Sequence, residues 1–121
     1  MTVIEYLNQV KDIDLRIRSL EGELADSCSE DDAEYAEELR SRIEENLAIC
    51  KELRLKIREE IQHLGDNRSC VLLTEYYIRG RSWEDVAAAL DKKSVKHVRE
   101  GMHQRALNLF SEKYSKIFSE I

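Results

Sequence analysis

Proline is absent from this 121-residue chain and glycine occurs only 4 times. Both residues punctuate turns, so turn-dense β-sandwiches, collagen-like repeats and Pro-rich disordered tails fit it poorly. The 3 cysteines, Cys28, Cys50 and Cys70, are odd in number and widely spaced, which gives neither a closed disulfide framework nor paired zinc ligands. Cys50 falls in an apolar helical stripe and reads as a small buried hydrophobe. His63, His97 and His103 lack a ligand spacing with nearby Cys or carboxylates. No metal and no cofactor is expected. No apolar run approaches the ~18 residues of a membrane span, and the opening Met1-Thr2-Val3-Ile4-Glu5 has neither the basic nor the apolar block of a signal peptide. A cytoplasmic protein without a membrane partner is expected.

Catalytic apparatus is missing too. There is no Gly-rich phosphate loop, and the scattered histidines have no evident nucleophile or orienting partner. Ser82 and Ser94 are accounted for as helix caps. The acidic pairs Asp31-Asp32, Glu37-Glu38 and Glu59-Glu60 are adjacent, so on a helix they diverge by ~100° and read as solvated surface. The chain is expected not to be an enzyme.

What is abundant is charge and helix-forming residues. Charged residues make up 36% of the chain, against roughly 25% in an average globular protein. Ala, Glu, Lys, Leu and Arg together make up nearly half of it, a share typical of long helices and coiled coils. The expected fold class is all-α: an N-terminal long antiparallel helical hairpin, coiled-coil in pattern, followed by a C-terminal helix-turn-helix domain. The net charge of −6 is unevenly placed. Residues 1–65 hold 9 Lys+Arg against 17 Asp+Glu, while residues 66–121 hold 10 against 8. Phosphate contact is therefore expected from the second part.

Within 1–65, Val3, Tyr6, Val10, Ile13, Ile17, Leu20 and Leu24 recur at alternating steps of three and four, the a/d pattern of a helix seam. The run ends in Ala25-Asp26-Ser27-Cys28-Ser29-Glu30-Asp31-Asp32, an acidic turn able to cap the next helix. Ala36, Leu39, Ile43, Cys50, Leu53, Ile57 and Leu64 then continue a heptad, with Asn46 and Glu60 at seam positions and Leu47 and Ile61 beside them. The pattern predicts two helices of about 24 and 31 residues, some 35 to 45 Å long at ~1.5 Å per residue. Ile4, Leu7, Leu15, Ile49 and Leu55 widen the apolar stripe beyond what one helix pair covers. The expected remedy is homodimerisation through this hairpin, with Asn46 setting register. The alternative is a fold-back of the tail residues Tyr114, Ile117, Phe118 and Ile121 onto the hairpin within one chain.

Gly65-Asp66-Asn67 reads as a helix stop and a new N-cap. A short helix is expected from about Arg68, with Cys70, Val71, Leu73, Tyr76 and Tyr77 inward and a close at Gly80. Ser82-Trp83-Glu84-Asp85 fits a capping box in its Asp-bearing form. After Asp91-Lys92-Lys93, Ser94 caps another helix with Val95, Val98, Met102, Ala106 and Leu109 inward. A short helix, a tight turn and a second amphipathic helix is the helix-turn-helix layout. Continuing the later helix at ~100° per residue puts Lys96, Arg99, Glu100 and His103 on one outer face. Arg99 suits guanine, Lys96 a phosphate or guanine oxygen, and Glu100 a cytosine amine. Arg79, Arg81, Lys92 and Lys93 surround the motif as phosphate contacts.

The order Tyr76-Tyr77-Ile78-Arg79-Gly80-Arg81-Ser82-Trp83-Glu84-Asp85-Val86-Ala87-Ala88-Ala89-Leu90, then Ser94 to Val98 and His103-Gln104-Arg105-Ala106-Leu107, resembles region four of sigma factors. It resembles more closely the small phage-encoded regulators of the ArpU and RinA type. The resemblance covers roughly residues 66–110, and the N-terminal half resembles that group only in being heptad-like. Asp91 stands where the family usually has Gly, and the stretch from Leu90 to Ala106 is about one residue longer than the common pattern. Gly101 inside the later helix costs about 1 kcal/mol relative to Ala and suggests close approach of a neighbour. The resemblance implies a phage or prophage transcription regulator that binds double-stranded promoter DNA or acts with RNA polymerase. Two other classes remain open: a DNA-packaging adaptor resembling a small terminase subunit, and a protein-interaction module that binds polymerase without touching DNA.

Overall fold

The computed structural model describes residues 1–27 and 33–118, all of whose regular structure is helical. Cys28, most of the turn expected at its position, and the tail residue Ile121 lie outside the described residues. Thr2 starts the first helix α1 (Val3–Leu7) with a reciprocal capping box: its hydroxyl accepts from the Glu5 N–H, and the Glu5 carboxylate accepts from the Thr2 N–H. Asn8 interrupts the run for one residue before α2 (Gln9–Asp26). The next helix, α3 (Ala33–Gln62), lies antiparallel to α2. The Tyr6 hydroxyl donates to Glu60 at one end, and the Tyr35 hydroxyl donates to Glu23 towards the other.

Side-chain burial along this pair matches the seam only in part. Val10 and Ile17 of α2 and Leu39, Cys50 and Ile57 of α3 are buried, whereas Leu15, Leu47 and Leu55 stand 61%, 52% and 60% exposed. Asn46 bonds its own helix, donating to the Arg42 carbonyl at 2.7 Å, so within one chain it sets no register.

Gly65, at φ 81, turns the chain out of α3 in the left-handed region that glycine tolerates. Beyond it lie α4 (Asn67–Leu73), which runs on into a π turn at Thr74–Ile78, and α5 (Trp83–Ala89). Then come α6 (Val95–His97), a second π turn at Val98–Met102, α7 (His103–Lys113) and α8 (Ser115–Phe118). The inward side of α4 differs from the expected one. Leu72, Leu73, Tyr77 and Ile78 are buried with Ser69, while Val71 is 38% exposed, because the π turn carries one residue more than an α turn and rotates the residues after it.

One buried cluster crosses the position of residue 65. Tyr6, Leu7, Val10 and Ile57 belong to the same core as Leu72, Val86, Val98 and Phe110. The Tyr6 ring lies 5.9 Å from Phe110 and edge-on to Phe118 at 5.6 Å, and the Tyr114 hydroxyl donates to the Glu60 carbonyl at 2.6 Å. The tail through Phe118 thus packs against the base of the helix pair. Truncating Phe110, which is fully buried, to Ala is expected to cost about 3–5 kcal/mol. Because both halves share this core, helicity by circular dichroism and fluorescence of Trp83, the 1 tryptophan of the chain, should report a single melting transition. Two separated transitions would contradict the shared core.

Candidate nucleic-acid interface

The segment from Gly80 to Gly101 is built by local hydrogen bonding that its residue types dictate. Gly80 takes φ 67, a left-handed turn after the first π segment. Ser82 is extended, and its hydroxyl accepts from the Asp85 N–H at 3.2 Å, capping α5 as its sequence position requires. At the other end of α5, the Asp91 N–H donates to the Ala88 carbonyl at 3.1 Å and the Lys92 N–H to the Ala87 carbonyl at 2.9 Å. That pair of bonds is a Schellman closure with Asp91 in the left-handed position at φ 56. Aspartate adopts this conformation more readily than most side chains, so it replaces glycine there without loss of the turn. Ser94 then caps α6, accepting from the His97 N–H at 3.1 Å.

The outcome is a tight turn that carries Lys92 and Lys93 and leads into a helix whose first turn carries Lys96. All three lysines are exposed. Arg99 and Glu100 are exposed beside them, with a loose contact of 3.9 Å between their charged groups. Arg79 and Arg81 sit elsewhere, before α5, and converge on one carboxylate: Arg79 Nη1 donates to Glu75 at 2.9 and 3.2 Å, and Arg81 Nε lies 3.9 Å from it. Glu75 therefore offsets part of their charge.

His103 is not on the outer face with Lys96, Arg99 and Glu100. The π turn at Val98–Met102 inserts one residue into the helix, which moves His103 round by about one residue step, ~100°. Its Nε2 is 2.6 Å from the Tyr77 hydroxyl, and its ring lies 4.8 Å from Trp83. The exposed residue one step on is Gln104. The same rotation puts Leu107 and Phe110 into the core and leaves Leu109 half-buried, in place of the expected inward Leu109. Gly101 does not serve the approach of another helix; a Cβ there would meet His97 Nδ1 of its own helix at 3.3 Å.

Around His103 the aromatic residues form a continuous stack. Tyr76 lies flat on Trp83 at 3.9 Å, Tyr77 meets Tyr76 edge-on at 4.9 Å, and the Lys11 ammonium from α2 sits 3.6 Å from the Tyr76 ring centre. A cation on a ring face is attracted by the ring quadrupole. Burial holds the Lys11 pKa below its ordinary value. Burial also lowers that of His103, with the Lys11 charge adding to it and a backbone bond at Arg99 opposing it.

On the other side of the same helix, between it and the start of α4, is a cavity of about 410 Å³ whose lining includes Arg68, Lys92, His97 and Arg105. Arg68, His97 and Arg105 were not among the residues expected to form a site. Their convergence is long-range, and no local motif announces it. Among the described residues no helix is long and apolar enough to cross a membrane. Compared with protein-family models, curated proteins and solved structures, the chain matches none.

The depressed His103 pKa has a consequence for stability. An unfolded imidazole takes up its proton near 6.5, whereas the folded one does so only at lower pH. Between those values the unfolded state holds more protons, so stability is fully present above about pH 6.5 and falls as the pH drops through the folded value. Urea midpoints from pH 8 to pH 5 should decline over this window, and His103→Gln should flatten the decline. An equally steep decline in the variant would assign the effect to other groups.

Proposed function

We propose that this chain is a sequence-specific DNA-binding transcriptional regulator, similar to the phage and prophage regulators of the ArpU and RinA type. In this reading α5, the Schellman turn and the helix capped by Ser94 act as a helix-turn-helix whose later helix enters the major groove. The observation that carries it is the turn itself: it presents Lys92, Lys93 and Lys96 exposed, and no ion pair to these lysines occurs among the described residues. Lys96, Arg99 and Glu100 supply base-edge chemistry, and Gln104 takes the place first expected of His103, since an amide pairs with adenine. Arg79, Arg81, Lys92 and Lys93 supply phosphate contacts. RNA polymerase is a further partner on this reading.

The binding test is fluorescence anisotropy with labelled fragments of the protein's own genomic neighbourhood, from about 50 to 200 mM salt. Wild type should bind with strong salt dependence, and Lys96→Glu/Arg99→Glu should abolish binding while leaving the helical spectrum intact. A folded wild-type protein that binds no fragment at the lowest salt rules out direct DNA recognition and redirects the search to a protein partner.

A single such domain covers few base pairs, which favours two copies on paired half-sites. The exposed leucines of α3 support a homodimer through the helix pair. Two copies of α3 laid antiparallel about Lys51 would set Leu47 against Leu55 and Glu44 against Arg58 on each side of the two-fold axis, a self-complementary face. The two Lys51 side chains at the axis can extend apart to solvent. Sedimentation equilibrium should show a dimer, and Leu47→Glu/Leu55→Glu should convert it to monomer without unfolding. A monomeric wild type contradicts the dimer, and a ring of about eight or more subunits would instead favour a packaging adaptor.

A further inference from the structure

The cavity between the start of α4 and the later helix is concave, small and electrically unbalanced. Arg68 comes from α4, Lys92 from the turn after α5, and Arg105 from α7, so three elements bring three cations to one wall. Asp66 is the carboxylate there. It already accepts the Ser69 hydroxyl at 2.6 Å and lies 3.8 Å from Arg105 Nε, too far for a short ion pair. Arg68 Nη1 donates to the Leu90 carbonyl at 3.4 Å, which ties it to the same turn that bears Lys92. A guanidinium has five N–H donors, and this bond uses one of them. A concave wall with a surplus of positive charge concentrates the field on an anion, and arginine's planar fork matches a phosphate.

The place of the cavity decides which anion. Arg68 stands near one end of the helical run formed by α4 and its π turn, and Arg79 just past the other, about 16 Å apart at 1.5 Å per residue. The later helix packs across this run, with Gly101 and Arg105 at the Arg68 end and His103 against Tyr77 near the other. The separation of the two basic groups is comparable to the ~12 Å width of a major groove. We propose that this cavity seats a backbone phosphate of a DNA duplex, on the strand opposite the one met by Arg79 and Arg81. The two groups then straddle the helix that reads the groove. This rests on the DNA-binding reading above and adds Arg68 and Arg105 to it.

The test is the salt slope of Arg68→Gln/Arg105→Gln on the tightest-binding fragment and on an unrelated duplex. Log affinity against log salt should become shallower by about 0.9 for each phosphate that the variant no longer neutralises, with an equal fractional loss of affinity on both duplexes. Arg68→Lys, which keeps the charge, should retain the wild-type slope. If the double variant does not fold, Arg105→Gln alone serves, since that side chain is 73% exposed. An unchanged slope in a folded variant, while Lys96→Glu/Arg99→Glu still abolishes binding, overturns the clamp and leaves the DNA reading standing. A loss confined to the preferred fragment overturns it too, because it marks a base contact. A wild-type protein that binds no DNA overturns both.

Discussion

Two helices side by side cannot cover their own apolar stripes, and Tyr6 resolves this at one end of the pair. Its ring is enclosed by Phe110 and Phe118, while its hydroxyl donates to Glu60 on the opposite helix. Burial and the Glu60 carboxylate both raise the Tyr6 pKa, so the phenol stays protonated and keeps its role as donor at every ordinary pH. The Tyr114 hydroxyl closes on the backbone of the same Glu60. Through these contacts the orientation of α7 is fixed relative to α2 and α3. Because α7 continues α6, the exposed face of the helix capped by Ser94 is fixed with it.

A second link lies on the far side of that helix. Lys11 reaches from α2 onto Tyr76, Tyr76 stacks on Trp83, and His103 closes against Trp83 and the Tyr77 hydroxyl. Desolvation disfavours the charge on Lys11, and the face of the Tyr76 ring partly replaces the lost hydration. The two links hold the inner side of the helix from both directions. Only its outer side, with Lys96, His97, Glu100 and Gln104, remains to meet a partner.

The helical class, the caps at Ser82 and Ser94 and the left-handed Asp91 were legible because each depends on neighbours in sequence. The π turns were not. Composition and periodicity carry no mark of them, and a helical projection at 3.6 residues per turn assumes they are absent. The excess of about one residue between Leu90 and Ala106 was the trace that the sequence held. Reading that excess as a π turn would have moved His103 inward and Gln104 outward. Asn46 misled in another way: a polar residue at a seam position can bond a partner helix or its own backbone, and it bonds Arg42. Arg68 and Arg105 stayed invisible as a pair because their meeting depends on how α4 and α7 cross.

The net charge of −6 argues less against a nucleic-acid partner than it first suggests, and geometry gives the reason. The acidic excess belongs to residues 1–65, whose helix α3 has 30 residues and so extends about 45 Å. At physiological ionic strength charges are screened over about 8 Å. Carboxylates along the outer part of such a helix are several screening lengths from the turn at Lys92 and Lys96, so they subtract little from the local field there. The nearby acids are Glu75, Asp66 and Glu100, and each already has a cation within 4.0 Å. What a phosphate would meet is therefore set by the lysines of the turn and the arginines flanking it, and the total charge of the chain is the wrong quantity to consult.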